Sequence, residues 1–150
     1  MRKKSHSPER IVNRRARYDY ELGDSLVVGL ELTGAEAKAL RMGHGQLRGA
    51  YVTEREGELW LINAQITGSA GISISEDAQT RSRKILAKRK EINGLIGERG
   101  QGGTIVPLEL LTKGRYIKLR IAPGRGKKRY DKRESIKRRQ QEREAKRVSR

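Results

Sequence analysis

From Leu26 the aliphatic residues fall at every second position, Leu26, Val28, Leu30 and Leu32, with Ser25, Val27, Gly29 and Glu31 between them. A period of two is that of a strand with one buried face, and it turns Val27 outward. At Thr33 the pattern changes. Thr33-Gly34-Ala35-Glu36 has the spacing of a capping box, Ala35, Ala37, Ala39 and Leu40 favour helix, and Gly43 is placed to stop it. Tyr51 to Arg55 and Leu59 to Ile62 flank Glu56-Gly57, which predicts a hairpin. The Ser- and Gly-rich stretch from Gly68 to Asp77 predicts a loop. Thr80 can cap a second helix, with Ile85, Ile92, Leu95 and Ile96 on one side and Arg83, Lys84, Lys90 and Glu91 on the other, ending between Gly97 and Gly103. A second hairpin is expected from Thr104 to Leu111, turning at Lys113-Gly114 and returning from Arg115 to Ile121. The fold class expected is therefore mainly β, a small closed antiparallel barrel of about six strands with helices packed on it.

Both ends lack this patterning. Residues 1–12 mix Lys, Arg, Ser and Pro8 without a period and are expected to form a flexible arm, with the folded body over 13–123. From Gly124 to Arg150 there are 13 Lys and Arg against four Asp and Glu, a net +9. Ile136 and Val148 are the only strong aliphatics there, so nothing equips the segment to dock on a core. Pairs such as Glu134–Arg138 and Glu142–Lys146 are spaced for helix. The expectation is a tail over 124–150, disordered when free and helical on a partner.

Charge sharpens this picture. Across 150 residues there are 35 Lys and Arg against 18 Asp and Glu, a formal net charge of +17, far beyond what solubility requires. A polyanion is the first partner to consider. The chain has no cysteine, which removes disulfides and cysteine metal sites and suits a reducing compartment. Its two histidines, His6 and His44, complete no metal-like spacing, and no metal or cofactor is expected. No apolar run approaches the ~20 residues of a membrane span, and Met1-Arg2-Lys3-Lys4 is not followed by the apolar segment of a secretory signal, so a cytoplasmic location is expected. No nucleophile motif, P-loop or dinucleotide fingerprint occurs, which favours a binding protein over an enzyme.

The candidate residues fall in two groups. In the tail, Lys127, Lys128, Arg129, Lys132 and Arg133 surround Tyr130, so phosphate neutralisation and base stacking are available together. The competing explanation is a solvated extension that aids solubility. In the body, Arg81, Arg83, Lys84, Lys88, Arg89 and Lys90 crowd ten positions of the expected second helix, as an RNA-facing edge or as hydrated outer charges. Leu86 lies on the flank of the apolar side, where it can serve packing, partner contact or both. On the first helix Glu36, Lys38 and Arg41 are candidates as well, although Glu36 also has a structural task as half of the capping box.

In order, Asn13-Arg-Arg-Ala-Arg17-Tyr-Asp-Tyr20, Leu32-Thr-Gly34-Ala-Glu36-Ala-Lys38-Ala-Leu40-Arg41, Arg81-Ser-Arg83-Lys84 with Lys90-Glu91-Ile92, and Gly126-Lys-Lys-Arg-Tyr130-Asp-Lys-Arg133-Glu134 resemble the small protein B, or SsrA-binding protein, family. The resemblance runs from about Asn13 to the C-terminus. It implies an OB-like barrel with two to three helices, bound as a monomer to the tRNA-like domain of transfer-messenger RNA (tmRNA). It also implies delivery with elongation factor Tu to ribosomes stalled without a stop codon. There the tail would enter the vacant messenger channel beyond the decoding centre as a helix. Leu86 and Lys88 match family positions implicated in RNA binding. Gly126, Lys127, Lys128, Tyr130, Asp131, Lys132 and Arg133 match the tail motif used inside the ribosome, with Lys137 and Arg138 continuing its basic run.

The chain departs from the family in places. Val27-Val28-Gly29 stands where many members have Glu-Ala-Gly with the glutamate touching RNA. Ala35, Ala37 and Ala39 are smaller than usual, and Lys88 replaces a common His or Asn. The rival readings are a general ribosomal or RNA-binding protein of the same fold and, further off, an RNA-modifying or RNA-cleaving domain.

Overall fold

In the computed structural model the described residues are 10–127, 137–141 and 143. Ten strands and three α-helices follow in chain order through residue 127: β1 (Arg10–Val12), α1 (Ala16–Asp19), β2 (Tyr20–Leu22), β3 (Leu26–Leu30), α2 (Gly34–Arg41), β4 (Gly45–Gln46), β5 (Tyr51–Arg55), β6 (Glu58–Ile62), β7 (Gln65–Ile66), β8 (Arg83–Leu86), α3 (Arg89–Arg99), β9 (Thr104–Leu111) and β10 (Lys118–Gly126). A single 3₁₀ turn spans Glu76–Ala78.

Six of the strands close a barrel. The order β9-β5-β6-β8-β3-β10 returns to its start through the antiparallel pairing of β9 with β10. β1 extends the edge of β9 and β2 that of β10, while β4 and β7 pair separately. The inward residues Val28 and Leu30, Leu59 and Leu61, and Leu119 and Ile121 follow the period of two, and Ile105 and Leu110 lie on either side of an irregularity in β9; all are buried in one core, which Leu40 of α2 and Ile92 and Leu95 of α3 cap. Between Arg120 and Ile121 the β9–β10 register skips Leu108, a bulge. Asn13 caps it, donating its backbone N–H to the Leu108 carbonyl at 2.8 Å and its Nδ2 to that of Pro107 at 2.8 Å. Leu108 thereby joins Ala16, Val106 and Ala122 in a second, outer cluster beneath α1 and β2.

The expected barrel, its first helix and both hairpins are present. Thr33 Oγ1 accepts from the Glu36 N–H and Glu36 Oε1 accepts from the Thr33 N–H, the reciprocal bonds of the capping box. The turn between β5 and β6 has positive φ at Glu56 and Gly57, the backbone twist that a two-residue hairpin requires.

Four boundaries differ from expectation. Arg10–Val12, placed in the arm, form β1 against β9. The helix expected from Thr80 is two elements: a strand over Arg83–Leu86 and a helix beginning at Arg89. Arg83 and Ile85 point inward while Leu86 is exposed, so the segment follows a period of two, and the Lys88 N–H donates to Glu91 Oε1 at 2.9 Å to start α3. The return strand of the second hairpin starts at Lys118 instead of Arg115. It also runs beyond residue 123 into the expected tail, pairing Gly124, Arg125 and Gly126 with β2, and the Lys127 N–H donates to the Asp19 carbonyl at 2.8 Å. The barrel thus holds the chain through Lys127. Of the expected tail, residues 137–141 and 143 are helical and exposed.

Candidate RNA interface

The outer wall of β3, β8 and the start of β10 forms an open groove of about 510 Å³. Its centre is Gly29, which pairs with Leu86 on one side and Lys118 on the other. A Cβ at Gly29 would come within 3.1 Å of the Leu86 Cβ, so glycine is what lets the neighbouring strand lie close while the groove stays open. Val27 and the 50% exposed Leu86 supply an apolar floor, and Lys84, Lys88 and Lys118 stand around it.

Two carboxylates also line the groove, and both are engaged. Glu58 pairs with Arg89 at 3.1 Å, and Glu91 caps the first turn of α3. Lysines over an apolar floor, with the nearby acids occupied, form a surface suited to phosphates at the rim and to sugars or base faces below.

The predicted body residues separate sharply on this geometry. Leu86, Lys84 and Lys88 meet at the groove, and Lys90 is exposed on α3. Arg89 clips α3 to the β5–β6 turn, donating to the Gly57 carbonyl and to Glu58. Arg83, expected on an RNA-facing edge, and Glu36, a candidate contact that also had a capping task, lie inside instead, 0% and 2% exposed. Every polar group of the Arg83 guanidinium is occupied: Nε donates to Glu36 Oε2 at 2.8 Å, Nη1 to the carbonyls of Ala64 and Arg81, and Nη2 to those of Ala78 and Gln79. Arg81, partly exposed, donates to both Glu36 oxygens.

Burial alone would raise the Glu36 pKa. Hydrogen bonds from Arg81, the Thr33 backbone and Arg83, together with the charge on Arg83, outweigh it and lower the value from 4.5 to about 2. Arg41 is also committed, donating to the carbonyls of Thr112, Gly114 and Arg115 at 2.8 to 2.9 Å. Of the α2 candidates only Lys38 is exposed.

Of the tail candidates, Gly126 is the last residue of β10 and Lys127 follows it. Lys137 and Arg138 lie on the exposed helical stretch, whereas Lys128, Tyr130, Asp131, Lys132 and Arg133 lie outside the described residues. Lys118 was absent from the candidates. Its outward position was readable from the buried Ile117 and Leu119 beside it, but its place opposite Gly29 depends on strand pairing. Among the described residues no group of three His, Asp or Glu side chains could hold a metal ion, and no helix is long and apolar enough to cross a membrane.

A closed six-stranded antiparallel barrel with an open, lysine-rimmed groove on its wall defines the chain as a small barrel protein of the OB-like kind. The family described as SmpB protein matches residues 10–150, and the chain belongs to that family. It is 44% identical over 152 residues to the SsrA-binding protein of Trichormus variabilis, covering 99% of this chain and 97% of that one. To the SsrA-binding protein of Streptococcus thermophilus it is 42% identical over 137 residues, covering 91% and 89%. A solved chain described by the words "tmRNA-SmpB: a journey to the center of the bacterial ribosome" superimposes with a TM-score of 0.68 at 34% identity, covering 86% of this chain and 95% of that one.

Proposed function

We propose that this protein binds the tRNA-like domain of tmRNA through the groove at Gly29 and supports its entry into stalled ribosomes. The observation that carries the reading is the groove itself, where three lysines ring an exposed apolar floor while both local glutamates are held by other groups. The name of its relatives, SsrA-binding protein, gives the RNA class, and the similar solved chain is described with tmRNA and the ribosome.

The body contacts are assigned to Val27, Lys84, Leu86, Lys88, Lys90 and Lys118. Glu36, Arg81 and Arg83 hold the frame behind them. The tail, whose described residues are helical and exposed with Lys137 and Arg138 among them, is assigned to the messenger channel near the decoding centre. Elongation factor Tu accompanies delivery, the protein works as a cytoplasmic monomer, and it binds without turnover. The decisive experiment is competition at fixed salt: tmRNA is expected to displace bulk tRNA and ribosomal RNA fragments from the full chain. Equal competition by all three would replace this reading with that of a general RNA-binding barrel.

A further inference from the structure

We infer that the β9–β10 turn is a second contact on the same RNA, a platform on which Tyr116 stacks an unpaired nucleobase. Tyr116 is 68% exposed, the most exposed of the large hydrophobic side chains that stand out on the surface among the described residues. A single exposed apolar residue is ordinary. This one sits on a turn that is fixed and charged.

The Arg41 guanidinium reaches from the end of α2 and donates to three carbonyls of the turn, those of Thr112, Gly114 and Arg115, at 2.9, 2.8 and 2.9 Å. Gly114 takes φ +97, a conformation glycine adopts without strain, which lets the turn aim its carbonyls at Arg41. Arg115 lies over the Tyr116 ring, 5.5 Å from its centroid. An aromatic face beside a guanidinium is the pairing that holds splayed-out bases, the ring by stacking and the cation through the neighbouring phosphate or the base π-face.

The placement also fits. Ile117 is buried, so Tyr116 and Lys118 both face outward, and Lys118 is a wall of the groove at Gly29. A strand leaving the groove past Lys118 meets Tyr116 next. Lys38, exposed on α2 one turn before Met42, adds positive charge on the helix that holds the turn. Arg41, a candidate contact by sequence, thus acts as a positioning residue for Tyr116.

This inference rests on the proposed RNA-binding reading, and the test separates the two. Affinity of the full chain for a transcribed tRNA-like domain of tmRNA is measured for the natural protein, Tyr116→Ala and Tyr116→Phe, with thermal melting of each. Tyr116→Ala is expected to weaken binding about tenfold or more, with unchanged melting and an unchanged salt slope because no charge is lost, while Tyr116→Phe binds as the natural protein does. Arg41→Lys is expected to weaken binding when Tyr116 is present and to add nothing in the Tyr116→Ala background, a coupling that a merely structural role would not produce.

Equal affinity of Tyr116→Ala and the natural protein overturns the inference and leaves the groove reading intact. Failure of the natural protein to bind this RNA removes both. A Tyr116→Phe defect as large as that of alanine would show a hydroxyl contact in place of stacking. Loss of ribosome association with RNA affinity unchanged would assign the turn to another partner.

Discussion

Arg83 donates its Nε–H to Glu36 Oε2 at 2.8 Å across 47 positions of sequence, and neither side chain reaches solvent appreciably. The pair ties α2 to β8 and, through four backbone carbonyls, to residues 64 and 78–81. Removing one partner from a buried pair leaves an uncompensated charge and costs about 3–5 kcal/mol. Glu36→Gln is accordingly expected to lower the unfolding free energy by about that much in urea titration. A loss below about 1 kcal/mol would mean that the network carries little of the stability.

The same carboxylate makes stability depend on acid. Its pKa falls from 4.5 to about 2 on folding, so the folded state holds it ionised where the unfolded chain would protonate it. The contribution is fully present above about pH 4.5 and is lost as pH falls toward 2, on the order of 3 kcal/mol in all. Between pH 5 and 3 the natural protein should lose stability faster than Glu36→Gln does. Parallel curves would show that Glu36 does not govern this range.

Arg83 also marks the limit of what the chain discloses by itself. The capping box at Thr33 and the hairpin at Glu56-Gly57 were legible because each is encoded within a few residues. The four-residue strand Arg83–Leu86 was not, since two cations and two aliphatics in so short a run satisfy either period, and a buried arginine depends on a partner far away in sequence. The site divides in the same way. Leu86 and Lys88 stood out in the basic run from Arg81 to Lys90 and again in the family resemblance, whereas Lys118 entered the groove only through its pairing with Gly29. Arg41 and Arg83 resembled RNA contacts because charge alone does not reveal which cations are already bound to carbonyls, nor that the Glu36 carboxylate is held by Arg81 and Arg83. The end of the barrel was misplaced because the composition turns basic and loses its aliphatics from Gly124, although Gly124 itself is buried against β2 and Val106.

Gly29 gives a direct test of the groove. A methyl group there approaches the Leu86 Cβ at 3.1 Å and its carbonyl oxygen at 3.3 Å, so β8 must shift by a few tenths of an ångström. Gly29→Ala is expected to weaken RNA binding several-fold with little change in melting temperature, and Lys118→Ala to weaken it and reduce the salt slope by about one. Full affinity in both variants would place the RNA on another face.

The tail prediction depends on where the barrel ends. Because the Lys127 N–H is bonded to the Asp19 carbonyl and Gly126 pairs with Tyr20, a truncation at residue 124 would strip the edge of β10 and confound loss of the tail with loss of the fold. Deleting residues 128–150 removes the tail and spares those bonds. The shortened protein is expected to keep its melting temperature and its affinity for the isolated tRNA-like domain within a few-fold, while losing peptide tagging on stalled ribosomes in a reconstituted translation assay. Retained tagging would take the messenger channel away from the tail. Loss of RNA affinity to the same degree as tagging would mean that body and tail grip one stretch of RNA together, and the division of labour between them would have to be abandoned.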